Sequence, residues 1–192
     1  MTGLFFGSFN PIHTGHLIVA EYMLQHAGLD EVWFIVSPHN PLKEHAALAK
    51  EVLRLQMVKL AVEGNENFKL SDIEFSLPRP SYTINTLESL TNKFPKKKFA
   101  MIMGSDSLES IYKWKEWSRI LSNYMILVYR RGPVNDIEWK KYPGVVFFDT
   151  PLLKISSTLI RNMIGDKKSV RYIVPDSVLK FIRLKKLYRK KK

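Results

Sequence analysis

The chain has 192 residues, 45% of them hydrophobic and 25% charged, which is the composition of one globular domain with a substantial core. It has no cysteine, so disulfides, thiol nucleophiles and cysteine-based metal sites are excluded. Its formal net charge of +12 suits an enzyme whose substrates are polyanions. The sequence has no apolar run of membrane-spanning length and no recognisable signal peptide, so we expect a single cytoplasmic domain over residues 1–192.

Strand-like and helix-like stretches alternate along the chain. The pattern predicts strands at 3–6, 31–36, 68–70, 99–103, 125–129 and 145–148, and helices at 15–27, 48–62, 83–93, 156–164 and 176–187. Such alternation predicts an α/β fold, with helices on both faces of a parallel sheet and a small helical part at the C-terminus. Ligands of these sheets bind at the carboxyl ends of strands, and Gly7, Ser37 and Gly104 each follow a predicted strand. We therefore expect one site at this edge.

Residues 7–16, which read GSFNPIHTGH, are the most informative stretch. They lead from the strand at 3–6 into the helix that begins near Gly15, so backbone N–H groups and the helix dipole point at one spot that suits a phosphate. At this spot His13 and His16 can donate hydrogen bonds or carry charge near neutral pH. A structural pair is the alternative, and a metal pair would lack a third ligand. The pattern favours a phosphate-binding catalytic loop.

A second motif, ISSTLIR at residues 155–161, has the same chemistry. Its hydroxyl residues precede a helical pattern and resemble an N-cap, which places free N–H groups at a helix N-terminus. Arg161 follows one turn later, where its guanidinium could bind an oxyanion. Many helices begin in this way, so the motif is informative only together with the loop at residues 7–16, which we call the histidine loop.

The two motifs resemble those of the nucleotidyltransferase superfamily, and the best match is the bacterial nicotinate mononucleotide adenylyltransferase family. Further segments match in the same order: SPHNPLK at 37–43, SYTINTL at 81–87, GSDS at 104–107 followed by Trp114, and YIVP at 172–175. The resemblance implies a Rossmann-like open parallel sheet. It also implies adenylyl transfer from ATP to nicotinate mononucleotide in NAD biosynthesis, giving deamido-NAD and pyrophosphate. The implied mechanism is in-line attack on the α-phosphate without a covalent intermediate.

The resemblance implies roles for individual residues. Catalytic roles are expected for His13, His16, Lys43 and Arg161. ATP is expected to contact Gly7, Ser8, Phe9, His13, His16, Gly104, Asp106, Ile155, Ser156, Ser157 and Arg161. Nicotinate mononucleotide is expected to contact Asn10, Lys43, Thr83, Trp114 and Lys115, with its pyridine ring stacked on the tryptophan. The implied cofactor is Mg²⁺, carried by the ATP phosphates rather than by a protein metal site.

Two positions depart from the family pattern. The family usually has Pro-Pro-His followed by Lys or Arg where this chain has HNPLK at 39–43, so His39 is displaced while Lys43 keeps the basic role. Asn10 stands where relatives often have Asp. Three other residues have structural alternatives: Asp106 could cap a turn or helix, and Trp114 and Trp117 could both be core residues.

The rival functions differ in acceptor or in class. One is another adenylyltransferase, with nicotinamide mononucleotide or phosphopantetheine as acceptor, and the other is a non-catalytic nucleotide- or RNA-binding protein that uses the basic tail. That tail, residues 183–192, has seven Lys or Arg and no acidic residue. We interpret it as the solvated end of a final helix and expect no nucleic-acid or membrane partner. The oligomeric state stays open, a homodimer included.

Overall fold

The structure is a computed structural model that describes residues 1–38, 48–132, 134–151 and 153–190. Its strands are β1 (Thr2–Gly7), β2 (Glu31–Val36), β3 (Phe68–Ser71), β4 (Phe99–Gly104), β5 (Met125–Tyr129) and β6 (Val145–Phe148). Its α-helices are α1 (Thr14–His26), α2 (Glu51–Val62), α3 (Thr83–Lys93), α4 (Ser105–Glu109), α5 (Trp117–Asn123), α6 (Ser157–Gly165) and α7 (Asp176–Leu184). Short 3-10 helices lie at Ile73–Ser76, Ile111–Lys113 and Asp136–Lys141.

The six strands form one sheet in the order β3-β2-β1-β4-β5-β6, and every strand pair is parallel. Side chains alternate between the two faces along each strand. Phe5 therefore packs into a first core cluster, with apolar residues of α1, α2, α6 and α7. Its neighbour Leu4 packs into a second core cluster, with residues of α3, α4 and α5. Burial on both faces explains why the strands read as continuous apolar runs.

The predicted α/β class is confirmed, and the predicted strands at 31–36, 125–129 and 145–148 have the observed bounds. The pattern missed the short helices α4 and α5. Glu116, the N-cap of α5, has a left-handed backbone with φ of 53°. Trp114 therefore precedes the helix and Trp117 begins it, so the two tryptophans do not share a helical face. Within the described ranges, every helix is too short or too polar to cross a bilayer.

Candidate active site

A cleft of about 480 Å³ opens at the carboxyl ends of β1, β4 and β5. In the sheet β1 lies between β2 and β4. The chain therefore adds β2 and β3 on one side of β1 and β4, β5 and β6 on the other, which makes the carboxyl end of β1 a topological switch point. Both predicted phosphate-binding motifs line the cleft, the first through His13 and His16 and the second through Ser156, Ser157 and Arg161. Packing thus brings together two segments from opposite ends of the chain.

The two histidines stack at the start of α1. Their ring centroids are 3.7 Å apart, and the backbone N–H of His13 donates to Nδ1 of His16 at 3.2 Å. Because Nδ1 of His16 accepts this hydrogen bond, the neutral imidazole has its proton on Nε2. This tautomer makes Nε2 of His16 a hydrogen-bond donor.

His13 is buried in the cleft wall and only 4% exposed. Burial, with the nearby charge of Arg131, lowers the pKa of His13 to about 4, so this imidazole is neutral at pH 7. Within the described part of the chain, Nδ1 of His13 and Oγ of Ser8 are buried without a hydrogen-bond partner. Buried polar atoms without partners are rare in proteins, and a ligand in the cleft would explain both.

Two glycines of the first motif make room for side chains of the motif itself. A Cβ at Gly7 would lie 2.8 Å from the ring of Phe9, and a Cβ at Gly15 would lie 3.2 Å from the imidazole of His13. Glycine at these two positions therefore allows Phe9 and His13 to pack within the motif. Phe9 also has a positive φ of 45°, a conformation that a bulky residue adopts only when its surroundings enforce it.

The second motif begins α6 as predicted, because Oγ of Ser156 accepts a hydrogen bond from the N–H of Leu159 at 3.1 Å. Two other side chains of this motif, those of Ser157 and Arg161, donate hydrogen bonds to the histidine loop. Oγ of Ser157 donates to the carbonyl of Pro11 at 2.9 Å. The guanidinium of Arg161 donates to the carbonyl of Asn10, also at 2.9 Å. The two motifs are therefore joined directly by hydrogen bonds.

Sequence similarity relates the chain to a named enzyme family. Residues 4–163 match the cytidylyltransferase-like family. A protein of Flavobacterium johnsoniae named a probable nicotinate-nucleotide adenylyltransferase is 45% identical over 190 residues, which cover 98% of each chain. A Bacteroides fragilis protein of the same name is 48% identical over 181 residues, covering 94% of this chain and 90% of its own. The chain belongs to the nicotinate-nucleotide adenylyltransferase family.

The fold is similar to solved structures that carry related names. Plasmodium falciparum nicotinic acid mononucleotide adenylyltransferase complexed with NaAD has a TM-score of 0.83 at 19% identity, over 97% of this chain and 96% of that one. The same enzyme complexed with APC has a TM-score of 0.81. These likenesses confirm the predicted Rossmann-like sheet, and the curated relatives confirm the predicted family.

Arg54, which the sequence analysis missed, is a buried residue that holds the loops around the cleft of this adenylyltransferase. It is 1% exposed. Its guanidinium donates to the carbonyls of Ser8 at 2.6 Å and Ser37 at 2.8 Å, and also to those of Pro38 and Ala49. It thereby ties together the loops that follow β1 and β2. The sequence pattern could have identified Arg54, because position 54 lies on the buried stripe of α2. An arginine at a buried position needs hydrogen-bond partners inside the protein.

Arg131 is a second missed residue of the cleft. Its guanidinium donates to Asp106 Oδ2 at 3.3 Å and to the hydroxyl of Tyr129 at 2.9 Å. A Cβ at Gly104 would lie 2.3 Å from Oδ1 of Asp106, so a side chain there would displace the carboxylate from its present position beside Arg131. Arg131 follows the end of β5, so the strand-end argument that selected Gly7 and Gly104 would also have found it.

Of the described residues that are expected to bind the acceptor, only Asn10 lines this cleft. Thr83 begins α3, and Trp114 packs against the second core cluster. Neither Thr83, Trp114 nor Lys115 lines the cleft. The ammonium of Lys115 lies 4.8 Å from the ring centre of Tyr82.

Two further predictions concern the loop at residues 39–43 and a metal ion. Lys43 and His39 lie outside the described residues. Among the residues that are described, no group of three or more His, Asp or Glu side chains could hold a metal ion.

Proposed function

We propose that this cleft transfers the AMP part of ATP to nicotinate mononucleotide, giving deamido-NAD and pyrophosphate. The chain is an enzyme of the nicotinate-nucleotide adenylyltransferase family, and its function is adenylyl transfer in NAD biosynthesis. One observation carries the proposal for the site: the histidine pair and the N-terminus of α6 face the same cleft at the switch point of the sheet. The proposed location of the reaction is the cytoplasm.

The chemistry needs positioning and charge stabilisation rather than a general base. The attacking phosphate of the mononucleotide is already ionised near neutral pH, since its second pKa is about 6. Nε2 of His16 donates to the α-phosphate and stabilises the charge that develops there. His13 stays neutral because it is buried, and it supports His16 by stacking. The nucleotide phosphate displaces pyrophosphate in line, so no covalent enzyme intermediate is needed.

The ATP phosphates bind between the two motifs. The N-terminus of α6, capped by Ser156, supplies free N–H groups and the positive end of a dipole to the β- and γ-phosphates. Arg161 adds its charge at the same end of the cleft. Asp106 lines the cleft with an exposed side chain and binds the ribose of ATP.

Mg²⁺ is the proposed cofactor, and the donor set of the cleft fits an ion that ATP brings with it. Asp106 is the acidic residue in the described cleft lining, and its carboxylate is paired with Arg131. Mg²⁺ keeps several waters and binds substrate phosphates readily, so such a site needs no carboxylate cage. When bound, the ion neutralises phosphate charge, while α6 and Arg161 hold the phosphates that carry it.

The acceptor is proposed to bind toward Trp114 and the N-terminus of α3. The indole Nε1 of Trp114 is buried without a partner among the described residues, so a ligand would satisfy it. The ring is proposed to stack on the pyridine, as the family resemblance implies. Thr83 and Lys115 contribute a helix N-terminus and a cation, which favour the carboxylate of nicotinate over an amide. Asn10 and Lys43 are proposed to bind the acceptor phosphate.

Pyrophosphate release by the full chain, with ATP and Mg²⁺, tests this function against its rivals. The acceptors to compare are nicotinate mononucleotide, nicotinamide mononucleotide and phosphopantetheine. We expect the highest kcat/KM with nicotinate mononucleotide. A preference for either of the others would overturn the acceptor assignment. Absence of turnover with all three, while ATP still binds, would favour the non-catalytic nucleotide-binding protein.

A further inference from the structure

The end of the chain turns back onto the fold. Helix α7 ends at Leu184, and Lys186 then adopts a left-handed backbone with φ of 52°. The N–H of Lys186 donates to the carbonyl of Arg183 at 3.2 Å, and that of Leu187 to the carbonyl of Ile182 at 3.0 Å. This pair of hydrogen bonds is a Schellman motif, which reverses the chain direction at a helix end. The expectation of a helix that runs to 187 is therefore wrong.

This reversal is strained and must be held by tertiary contacts. Lys186 and Tyr188 both have positive φ, 52° and 61°, and neither is glycine. Such conformations persist in a non-glycine residue only when surrounding contacts over-determine them. Leu187 and Tyr188 supply these contacts, because both pack against the first core cluster. The expectation of a solvated tail is therefore wrong for these two residues.

The hydroxyl of Tyr188 reaches the cleft. It donates to Oδ1 of Asn10 at 2.8 Å, and the same oxygen accepts from the backbone N–H of Ala49 at 3.1 Å. Burial raises the pKa of Tyr188, so its hydroxyl keeps the proton that it donates. Asn10 is 3% exposed and lines the cleft beside the histidine loop. Two donors on one oxygen set the orientation of the Asn10 amide.

We propose that Tyr188 is a positioning residue, which fixes the Asn10 side chain and with it the acceptor side of the active-site loop. Arg161 holds the backbone carbonyl of Asn10, whereas Tyr188, together with the N–H of Ala49, holds its side-chain amide. The role in turnover rests on the proposed function, because Asn10 acts there on the acceptor phosphate. The proposal assigns a function in the site to the packed turn at Leu187 and Tyr188. It assigns no function to the cationic residues that follow this turn.

The substitution Tyr188→Phe tests the hydroxyl while keeping the packed ring. We expect KM for nicotinate mononucleotide to rise about two- to tenfold, the range for one lost hydrogen bond, with KM for ATP and the melting temperature nearly unchanged. Tyr22→Phe on α1, where the tyrosine stacks on His26 away from the cleft, is the matched control. A structural role alone would lower the melting temperature and affect both substrates alike.

A double-mutant cycle with Asn10→Ala shows whether the hydroxyl acts through Asn10. Once the amide is absent, Tyr188→Phe should have no further effect on KM for the acceptor. Additive effects of the two substitutions would overturn the proposal.

Two truncations separate the packed turn from the charge. Deleting 189–192 removes four cationic residues, and we expect kcat/KM to stay within about twofold. Deleting 187–192 also removes Leu187 and Tyr188, and we expect a loss at least as large as that of Tyr188→Phe. Equal activity of the two truncated chains would overturn the proposal.

Hydrogen exchange gives a readout that does not depend on turnover. Tyr188→Phe should speed the exchange of backbone amides in residues 8–14, whereas Tyr22→Phe should not. If the parent enzyme fails to use nicotinate mononucleotide but exchange responds in this way, the proposed acceptor is wrong and the positioning role stands. If the parent is active and neither KM nor exchange responds, only the positioning role is wrong.

Discussion

The ATP side and the acceptor side of the proposed site are built differently. On the ATP side, hydrogen bonds from Ser157 and Arg161 join the two phosphate-binding motifs into one framework. On the acceptor side, Thr83 begins α3, Trp114 and Lys115 lie just before α5, and none of the three lines the cleft of the ATP side. The ATP side is thus organised before the substrate arrives, whereas on the acceptor side the ammonium of Lys115 contacts the ring of Tyr82 and Trp114 packs against the second core cluster.

This difference indicates which residues determine kcat and which determine the selectivity between substrates. A preorganised polar framework stabilises charge that develops in the transition state, so changes there lower kcat. Separate contacts to a ring or a carboxylate act already in the ground state, so changes there raise KM for one substrate. Substitutions on each side therefore test this difference.

The largest effect is expected at His16. His16→Ala removes the Nε2 donor aimed at the α-phosphate, and we expect kcat to fall about 10²–10³-fold, the cost of losing a preorganised donor. Pyrophosphate release at saturating substrates measures this loss, and circular dichroism checks that the fold is intact. His26→Ala, at the other end of α1, is the control. Turnover close to that of the parent would place His16 away from the reacting phosphate.

Arg54→Met tests the framework behind the ATP side. It leaves four carbonyls without their donor, and each orphaned buried group costs about 1–3 kcal/mol, so the free energy of unfolding should fall by about 3 kcal/mol or more. Urea denaturation measures the change. Arg79→Met is the control, because that arginine forms an exposed ion pair with Glu51 and should cost less than about 1 kcal/mol. Equal stability of both variants would contradict the supporting role of Arg54.

The buried neutral state of His13 predicts a pH dependence of stability. The pKa of His13 is lowered to about 4 in the fold, from the ordinary value of 6.5. Between these values the unfolded chain binds the proton and the folded chain does not, so stability is lost as pH falls from 6.5 to 4, by roughly 3 kcal/mol.

Denaturation at several pH values should therefore show a shallower decline for His13→Asn than for the parent. Glu74, whose pKa is raised by burial, acts in the opposite direction, but it contributes equally to both proteins and cancels in their difference. Parallel curves for the two proteins would mean that His13 is protonated in the fold.

Trp114→Ala tests the acceptor side. If the pyridine ring stacks on the indole, KM for nicotinate mononucleotide should rise about ten- to a hundredfold, the range for aromatic–base stacking, while KM for ATP stays near the parent value. Trp114→Phe should retain most of the binding. Trp117→Ala is the control, because Trp117 packs against the second core cluster and its loss should lower the melting temperature without substrate selectivity. An effect on ATP alone would remove Trp114 from the acceptor site.

The smallest effect is expected for Arg161→Lys. Lysine keeps the charge but loses the fork that reaches both the Asn10 carbonyl and Thr158. We expect KM for ATP to rise about five- to tenfold, less than for Arg161→Ala. Initial-rate measurements at varied ATP test this. Full activity of the lysine variant would show that the fork is not used.

Much of the site was visible in the sequence because it is local. The strand-to-loop-to-helix pattern around His13 and His16 and the N-cap at Ser156 follow from periodicity and capping chemistry over a few residues. Trp114 shows where local pattern fails, since the left-handed Glu116 separates it from the helix that Trp117 begins. A spacing of three residues cannot reveal such a break.

The parallel α/β class, the family and the two motifs proposed to bind phosphate could all be predicted from the sequence, because each is recognised from patterns within short segments of the chain. How those motifs are held together could not be predicted in this way, because it depends on tertiary contacts. Arg54 spans two loops, Tyr188 returns to Asn10 across 178 positions, and burial sets the neutral state of His13. These features arise from packing between distant segments, and packing sets burial and hydrogen-bond partners that no local pattern encodes.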